Sequence, residues 1–203
     1  MEHTDYRVGV LVDELVSKEF GTPKKEREKA GQAELVRRLL GEPAEWEYAE
    51  SGKPVLVGRS EHLSFSHSEN VYACQISTQG ACGIDVQHYR DKIIRVAEKF
   101  LNETELAFVH SVADDKKVKT LTAMWSCKEA LYKLYGEGFI DYVHRFSIHP
   151  FEPISGILSA SADFGEGPHT RFLRVEFTET FVLAFHTLSA TLPANDNNSL
   201  FYF

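Results

Sequence analysis

Three short segments carry residue types that belong together in phosphate chemistry: SFSHS (residues 64 to 68), GIDVQ (83 to 87) and WSCKEALYK (125 to 133). Asp85 and Glu129 are hard oxygen ligands of the kind Mg2+ takes when it also holds a substrate's phosphates. Lys128 and Lys133, on either side of Glu129, can flank the same anion, and His67 between Ser66 and Ser68 adds donors for a further phosphate. A divalent cation, lysines and such donors converging on phosphates are the parts of a phosphoryl-transfer site. At about 100° per residue, Leu121, Trp125, Tyr132 and Tyr135 share one helical arc, with Lys128 near its middle. A core-facing stripe normally excludes lysine. The expectation is therefore that the Lys128 stem packs while its head enters a polar cleft.

Each of these residues also has an ordinary structural use. A carboxylate at a strand end accounts for a lone Asp85, and hydroxyls and imidazoles such as Ser66 and His67 often satisfy loop backbone. Glu129 and Lys133 can form a surface ion pair, worth little. It is their joint occurrence that points to chemistry.

The elements that must position them can be read from pattern. YRVGVLV is a valine-rich strand, and KKEREKAGQAELVRRLLG is a helix with Pro23 near its start and Gly41 after its end. HLSFSHS and NVYACQIS form a hairpin about Glu69-Asn70, and CGIDVQ is a short strand. RDKIIRVAEKFL is helical; NETELAFVHSV follows, with Asn102 as N-cap and Glu105 at the capping-box position. After the long helix KKVKTLTAMWSCKEALYKLY, the last third reads as four strands: YVHRFSIH, GILSASA, HTRFLRVEF and FVLAFHTL. This order fits an α+β protein of two successive units. The boundary is expected near TQGAC, giving lobes of residues 1–82 and 83–190 and a tail of 191–203 that is loose unless Phe201 to Phe203 find a groove.

Composition narrows the classes. The formal charge of −8 over 203 residues argues against a general binder of nucleic acid or anionic membrane. No apolar run approaches the roughly 20 residues needed to span a bilayer. MEHTDYRVGVLVDELV lacks the basic start and long apolar stretch of a secretory signal. Cys74, Cys82 and Cys127 form no paired framework, so reduced thiols and a cytoplasmic location are expected. The nine histidines show no credible zinc spacing, and neither a P-loop nor a kinase loop is present.

The chain resembles the 4′-phosphopantetheinyl transferases, in particular their longer, two-lobed, surfactin-synthetase-activating type. The likeness runs through Gly52-Lys53-Pro54-Val55-Leu56, Phe65-Ser66-His67-Ser68, Gly83-Ile84-Asp85, Phe100 with Glu105, and Trp125 to Lys133, in the family's order and spacing. The resemblance implies two similar α+β lobes in pseudo-two-fold arrangement, with the site between them in a monomer. It implies transfer of the phosphopantetheine arm of coenzyme A to a serine of an apo acyl or peptidyl carrier protein, releasing adenosine 3′,5′-bisphosphate. Carried over, Asp85 and Glu129 hold Mg2+, Lys133 contacts the phosphates and Lys128 stabilises charge nearby. Ser66 and His67 bind the coenzyme, His67 near its 3′-phosphate, with Lys24, Lys25, Arg27 and Lys29 as further candidates. Glu105 is a general base, a ligand to the metal through water, or the cap on Asn102. Family members with three acidic ligands read GIDxE, whereas this chain has Gln87, whose amide oxygen can coordinate Mg2+ without bringing charge. The alternative is a non-catalytic carrier-protein or coenzyme A binding module with a weakened metal site.

Overall fold

The computed structural model describes residues 6–12, 23–136, 138, 141–188, 190 and 200–203. The expected acidic start at residues 1–5 and most of the tail, 191–199, lie outside them. Among the described residues no helix is long and apolar enough to cross a membrane.

Eleven described strands form two sheets, and each sheet carries one long helix. The first sheet has the order β11-β1-β5-β4-β3-β2, built from β1 (Tyr6–Val12), β2 (Trp46–Tyr48), β3 (Pro54–Leu56), β4 (His62–Ser68), β5 (Val71–Ser77) and β11 (Leu200–Tyr202). Helix α1 (Lys24–Leu40) buries Leu35, Val36 and Leu39 against this sheet, packing with Leu56, Leu63, Tyr72, Cys74 and Ile76. Its end is set by Gly41, left-handed at φ 80°, whose N–H returns to the Arg37 carbonyl. The tail segment therefore contains a strand: Leu200–Tyr202 pairs parallel with β1, while every other pairing is antiparallel.

The second sheet has the order β6-β10-β9-β8-β7, from β6 (Ile84–His88), β7 (Phe146–Ile148), β8 (Gly156–Asp163), β9 (Pro168–Phe177) and β10 (Phe181–Thr187). Helix α3 (Asp114–Tyr135) packs on it, preceded by α2 (Glu103–Ser111) and followed by the single turn α4 (Tyr142–Arg145). The segment read as a helix, RDKIIRVAEKFL, is instead a 3-10 helix over Asp91–Lys99. YVHRFSIH, read as a strand, divides into α4 and β7 because Asp141 caps the turn by accepting from the N–H groups of Val143 and His144.

The two sheets meet through a shared apolar seam. Val8, Val10, Val71 and Ala73 of the first sheet pack against Ile84, Val86, Phe181, Leu183 and Phe185 of the second. Beside the seam, strand β6 is the outer strand of its sheet, and none of the described strands pairs with its free edge. The alternating serines of β4 cover it: the N–H groups of Ile84, Val86 and His88 donate to the Oγ atoms of Ser64, Ser66 and Ser68 at 3.2, 3.2 and 3.1 Å. Leaving such buried donors unmet would cost about 1–3 kcal/mol each. The serine ladder fixes the register between the lobes.

Candidate functional site

Asp85 sits where this ladder meets α3. It is 2% exposed and reaches the helix because residue 83 is glycine: a Cβ there would stand 2.0 Å from the Ala130 carbonyl oxygen. Three side chains donate to its carboxylate. Oδ1 accepts from Ser66 Oγ and from Lys133 Nζ, each at 2.8 Å, and Oδ2 accepts from Ser126 Oγ at 2.8 Å. Lys133 also donates to the Ile84 carbonyl at 2.9 Å. Asp85 thereby joins β4 of the first lobe to α3 of the second.

Glu129 lies one helical turn before Lys133 but does not pair with it through a direct hydrogen bond; its Oε1 accepts from the Tyr142 hydroxyl at 3.0 Å. Burial raises its carboxyl above the usual range, and the negative charge of Asp85 raises it further, against the opposing pull of Lys133 and the Tyr142 hydroxyl. Two carboxylates close enough to repel one another are the donor set that a hard divalent cation relieves. Asp85 retains acceptor capacity beyond its three hydrogen bonds, since a carboxylate offers about four lone-pair sites. Among the described residues no group of three or more His, Cys, Asp and Glu side chains is placed to hold a metal ion; the charged oxygen donors available to a Mg2+ ion here are the two carboxylates of Asp85 and Glu129. Gln87 is two residues from Asp85 on β6 and so on the same side of the strand, where it lines a depression of about 490 Å3 with Ser68, His88, Arg90, Ile93 and Trp125.

A cleft of about 220 Å3 opens between the lobes, lined by Ser66, His67 and Lys53 from the first and Tyr132, Lys133 and Gly136 from the second. His67 Nε2 is 3.0 Å from Glu28 Oε1, and its ring stacks on Tyr72. Lys53 reaches across the cleft and donates to the Leu134 carbonyl at the end of α3, at 3.3 Å. Lys24, Lys25 and Lys29 are exposed on α1, and Arg27 is half-buried. The cleft takes Gln32 from that helix rather than any of these four.

Lys128 and Glu105 are placed elsewhere, which corrects the expectation of a lysine head in a polar cleft. Lys128 is completely buried. Its ammonium donates to Glu105 Oε2 and the Phe100 carbonyl at 2.7 Å, the Phe146 carbonyl at 2.9 Å and the Tyr142 carbonyl at 3.0 Å. Three N–H donors facing four oxygens leave none for a phosphate. Burial lowers the Lys128 pKa, and the charge of Glu105 opposes that shift. Glu105 closes the capping box with Asn102 and also accepts from the Ile148 N–H at 2.7 Å. The pair ties the 3-10 helix end, α2, α3, α4 and β7 together at one buried point.

The structure thus brings Ser66, Asp85 and Lys133 into direct contact and sets Glu129 beside them. It adds three residues with no assigned role in the sequence reading: Ser126, Tyr142 and Lys53. Ser126 and Lys53 lay within quoted motifs, and nothing in the local pattern of Tyr142 marks it.

Known proteins similar to this chain are 4′-phosphopantetheinyl transferases by name. The family model of the 4′-phosphopantetheinyl transferase superfamily matches residues 81–185. The 4′-phosphopantetheinyl transferase HetI of Nostoc sp. is 28% identical over 156 residues, covering 70% of this chain and 66% of that protein. The 4′-phosphopantetheinyl transferase gsp of Aneurinibacillus migulanus is 32% identical over 99 residues, covering 49% of this chain and 41% of that protein. A 4′-phosphopantetheinyl transferase of Bacillus subtilis is 27% identical over 100 residues, covering 49% and 44%. The chain spans less than two thirds of the length of each of these relatives.

Proposed function

The chain belongs to the 4′-phosphopantetheinyl transferase superfamily, and from that premise we propose that it moves the phosphopantetheine arm of coenzyme A onto a serine of an apo acyl or peptidyl carrier protein. Adenosine 3′,5′-bisphosphate is the leaving product. The observation that carries this reading is the Asp85 hub: a buried carboxylate held by Ser66, Ser126 and Lys133, of which Ser66 and Lys133 line the cleft between the two lobes.

In this reading Asp85 and Glu129, with the amide oxygen of Gln87, hold Mg2+ against the pyrophosphate of coenzyme A. The ion, when bound, neutralises the pyrophosphate and stabilises charge developing on it. Lys133 adds a positive charge beside the same group, fixed in direction by the Ile84 carbonyl and Asp85, so that little reorganisation is needed as charge develops. Ser66 orients Asp85, while His67 and Lys53 from the first lobe face the remaining phosphates across the cleft. Glu105 and Lys128 act as positioning residues: they fix α3, and hence Glu129 and Lys133, without touching substrate. The acting form is a monomer, because one chain supplies both walls of the cleft, and the free cysteines Cys74, Cys82 and Cys127 suit a cytoplasmic location.

Mass spectrometry of several apo carrier proteins incubated with the protein, coenzyme A and Mg2+ tests the reading. A phosphopantetheine mass gained on the carrier serine is the expected outcome. No gain on any carrier from the same organism, with both reagents saturating, would overturn it.

A further inference from the structure

Strand β11 is reached only after the second sheet is complete, yet it hydrogen-bonds into the first. Val8, Gly9 and Val10 pair with Leu200, Phe201 and Tyr202, and the Phe203 N–H donates to the Val10 carbonyl at 2.9 Å. Alternation along the strand sends its side chains two ways. Leu200 packs against the seam between the sheets, with Val8, Val10, Ile84 and Phe185 in the same cluster. Phe201 joins the opposite cluster under α1, and Phe203 stacks on Phe201 with the Arg38 guanidinium 4.7 Å from its ring centre. Gly9 is shaped to this arrangement: a Cβ there would stand 3.0 Å from Leu35, 3.2 Å from Leu39 and 3.2 Å from Phe203. Tyr202 lies close enough to Glu176 and Arg174 of the second sheet for both charges to act on its hydroxyl.

We propose that residues 200–203 are a strap that holds the two lobes at a fixed spacing, and so sets how far the cleft between them opens. The strap is hydrogen-bonded to β1 of one lobe and packed by Leu200 into the seam that both share. Losing it leaves the β1 edge unpaired and removes Leu200 from the seam. The serine ladder reports any parting of the lobes, because its three single hydrogen bonds lie beside that seam together with the Ser66–Asp85 and Gln75–His186 bonds. The consequence for coenzyme A binding rests on the transferase reading; the mechanical role does not.

Amide hydrogen exchange on the full chain and on a chain ended after residue 190 provides the test. The expected result is at least tenfold faster exchange at Ile84, Val86 and His88 as well as at the β1 edge, with unchanged far-ultraviolet circular dichroism. A synthetic peptide of residues 191–203 should restore protection, and one of scrambled order should not. Unchanged exchange at Ile84, Val86 and His88 in a folded shortened chain overturns the proposal. Should the shortened chain not fold, Phe201→Ala and Tyr202→Ala in the full chain are expected to give the same pattern at lower amplitude, and unchanged protection in both overturns it. Calorimetric titration of coenzyme A separates the two readings. A full chain that binds no coenzyme A sinks the transferase reading while exchange still decides the strap. Equal affinity with and without the strap overturns its control of the cleft.

Discussion

Helix α3 carries two lysine–carboxylate pairs five residues apart, and they are built for different ends. Lys128 with Glu105 is sealed: both side chains are at most 1% exposed, and every donor of the ammonium is spent on protein oxygens. Lys133 with Asp85 is half open: the lysine keeps 25% of its side chain accessible at the cleft, and its carboxylate partner has a second carboxylate, Glu129, nearby. Five residues along a helix rotate a side chain through about 140°, enough to turn one lysine into the core and the next toward the interlobe cleft. The sealed pair is a joint, whereas the open pair holds charge ready for a ligand.

The contrast breaks most visibly at Lys128. Lys128→Met leaves the Glu105 carboxylate buried without its cation, and breaking one partner of a buried pair costs about 3–5 kcal/mol. Urea unfolding should show this loss, and adding Glu105→Gln in the same chain should recover part of it, because no uncompensated charge then remains. If Lys128→Met unfolds at the wild-type urea concentration, the sealed pair is not a joint. Lys133→Ala should behave in the opposite way. Asp85 is buried but keeps the hydroxyl donors of Ser66 and Ser126 when the partly solvated lysine is lost, so the loss of stability should be smaller than at Lys128, while carrier modification slows at least tenfold, about 1.4 kcal/mol of barrier. A large loss of stability with normal turnover would make Lys133 structural and erase the distinction.

Much of this arrangement was legible in the sequence, for reasons that are local. The span of α1 follows from Pro23 and Gly41, the Asn102–Glu105 capping box from spacing alone, and the β4–β5 hairpin from alternation about Glu69-Asn70, where Glu69 takes φ 53°. Asp85 and Lys133 were assigned to one site by their motifs, but their direct contact was not foreseen, since Lys133 was expected on phosphates. What was not legible depends on distant partners. The three-residue strands β2 and β3 carry too little pattern to stand out before they pair. The serines of SFSHS looked like ligand donors, but their period of two instead matches the N–H groups of β6, some twenty residues away. Lys128 was misplaced because helical periodicity tells which way a side chain points, not whether carbonyls wait there to receive it. Strand β11 was hidden because a three-residue strand is recognisable only beside β1.

A pH series sharpens the open side of the comparison. Glu129 has a folded pKa above its ordinary value of 4.5, so between those two values the folded protein binds more protons than the unfolded chain. Stability from this group is therefore greatest below about pH 4.5 and falls as pH rises through the raised pKa. Glu129→Gln removes the charge that is disfavoured there. With metal chelated, the variant should be more stable than wild type at pH 7 and no more stable at pH 4, by urea unfolding at both. A variant destabilised equally at the two pH values would show Glu129 to be a packed structural group like Glu105.

The smallest expected effect concerns Gln87, where this chain lacks a third acid. Asp85 and Glu129 are then the charged protein ligands proposed for the ion, so much of its affinity must come from the coenzyme's pyrophosphate. Metal should bind weakly to the free protein and tightly once coenzyme A is present. Residue 87 lies on the same side of β6 as Asp85 and borders a depression lined by Ser68, His88 and Arg90 as well as Ile93, Val96 and Trp125, so a carboxylate introduced there has both room and a cation nearby. Gln87→Glu should strengthen Mg2+ binding in the absence of coenzyme A, because a charged oxygen replaces a neutral one at the ion. The added negative charge should weaken coenzyme A itself, since both would compete for the same positive field. Calorimetric titration of Mg2+ into both proteins, with and without coenzyme A, reads the two effects separately. Arg90 is the complication: its guanidinium pairs with Glu69 and would also attract a new carboxylate, holding it away from Asp85. Equal Mg2+ affinity in the two proteins would place residue 87 with Arg90 rather than with the ion, and reduce the open site to Asp85, Glu129 and Lys133.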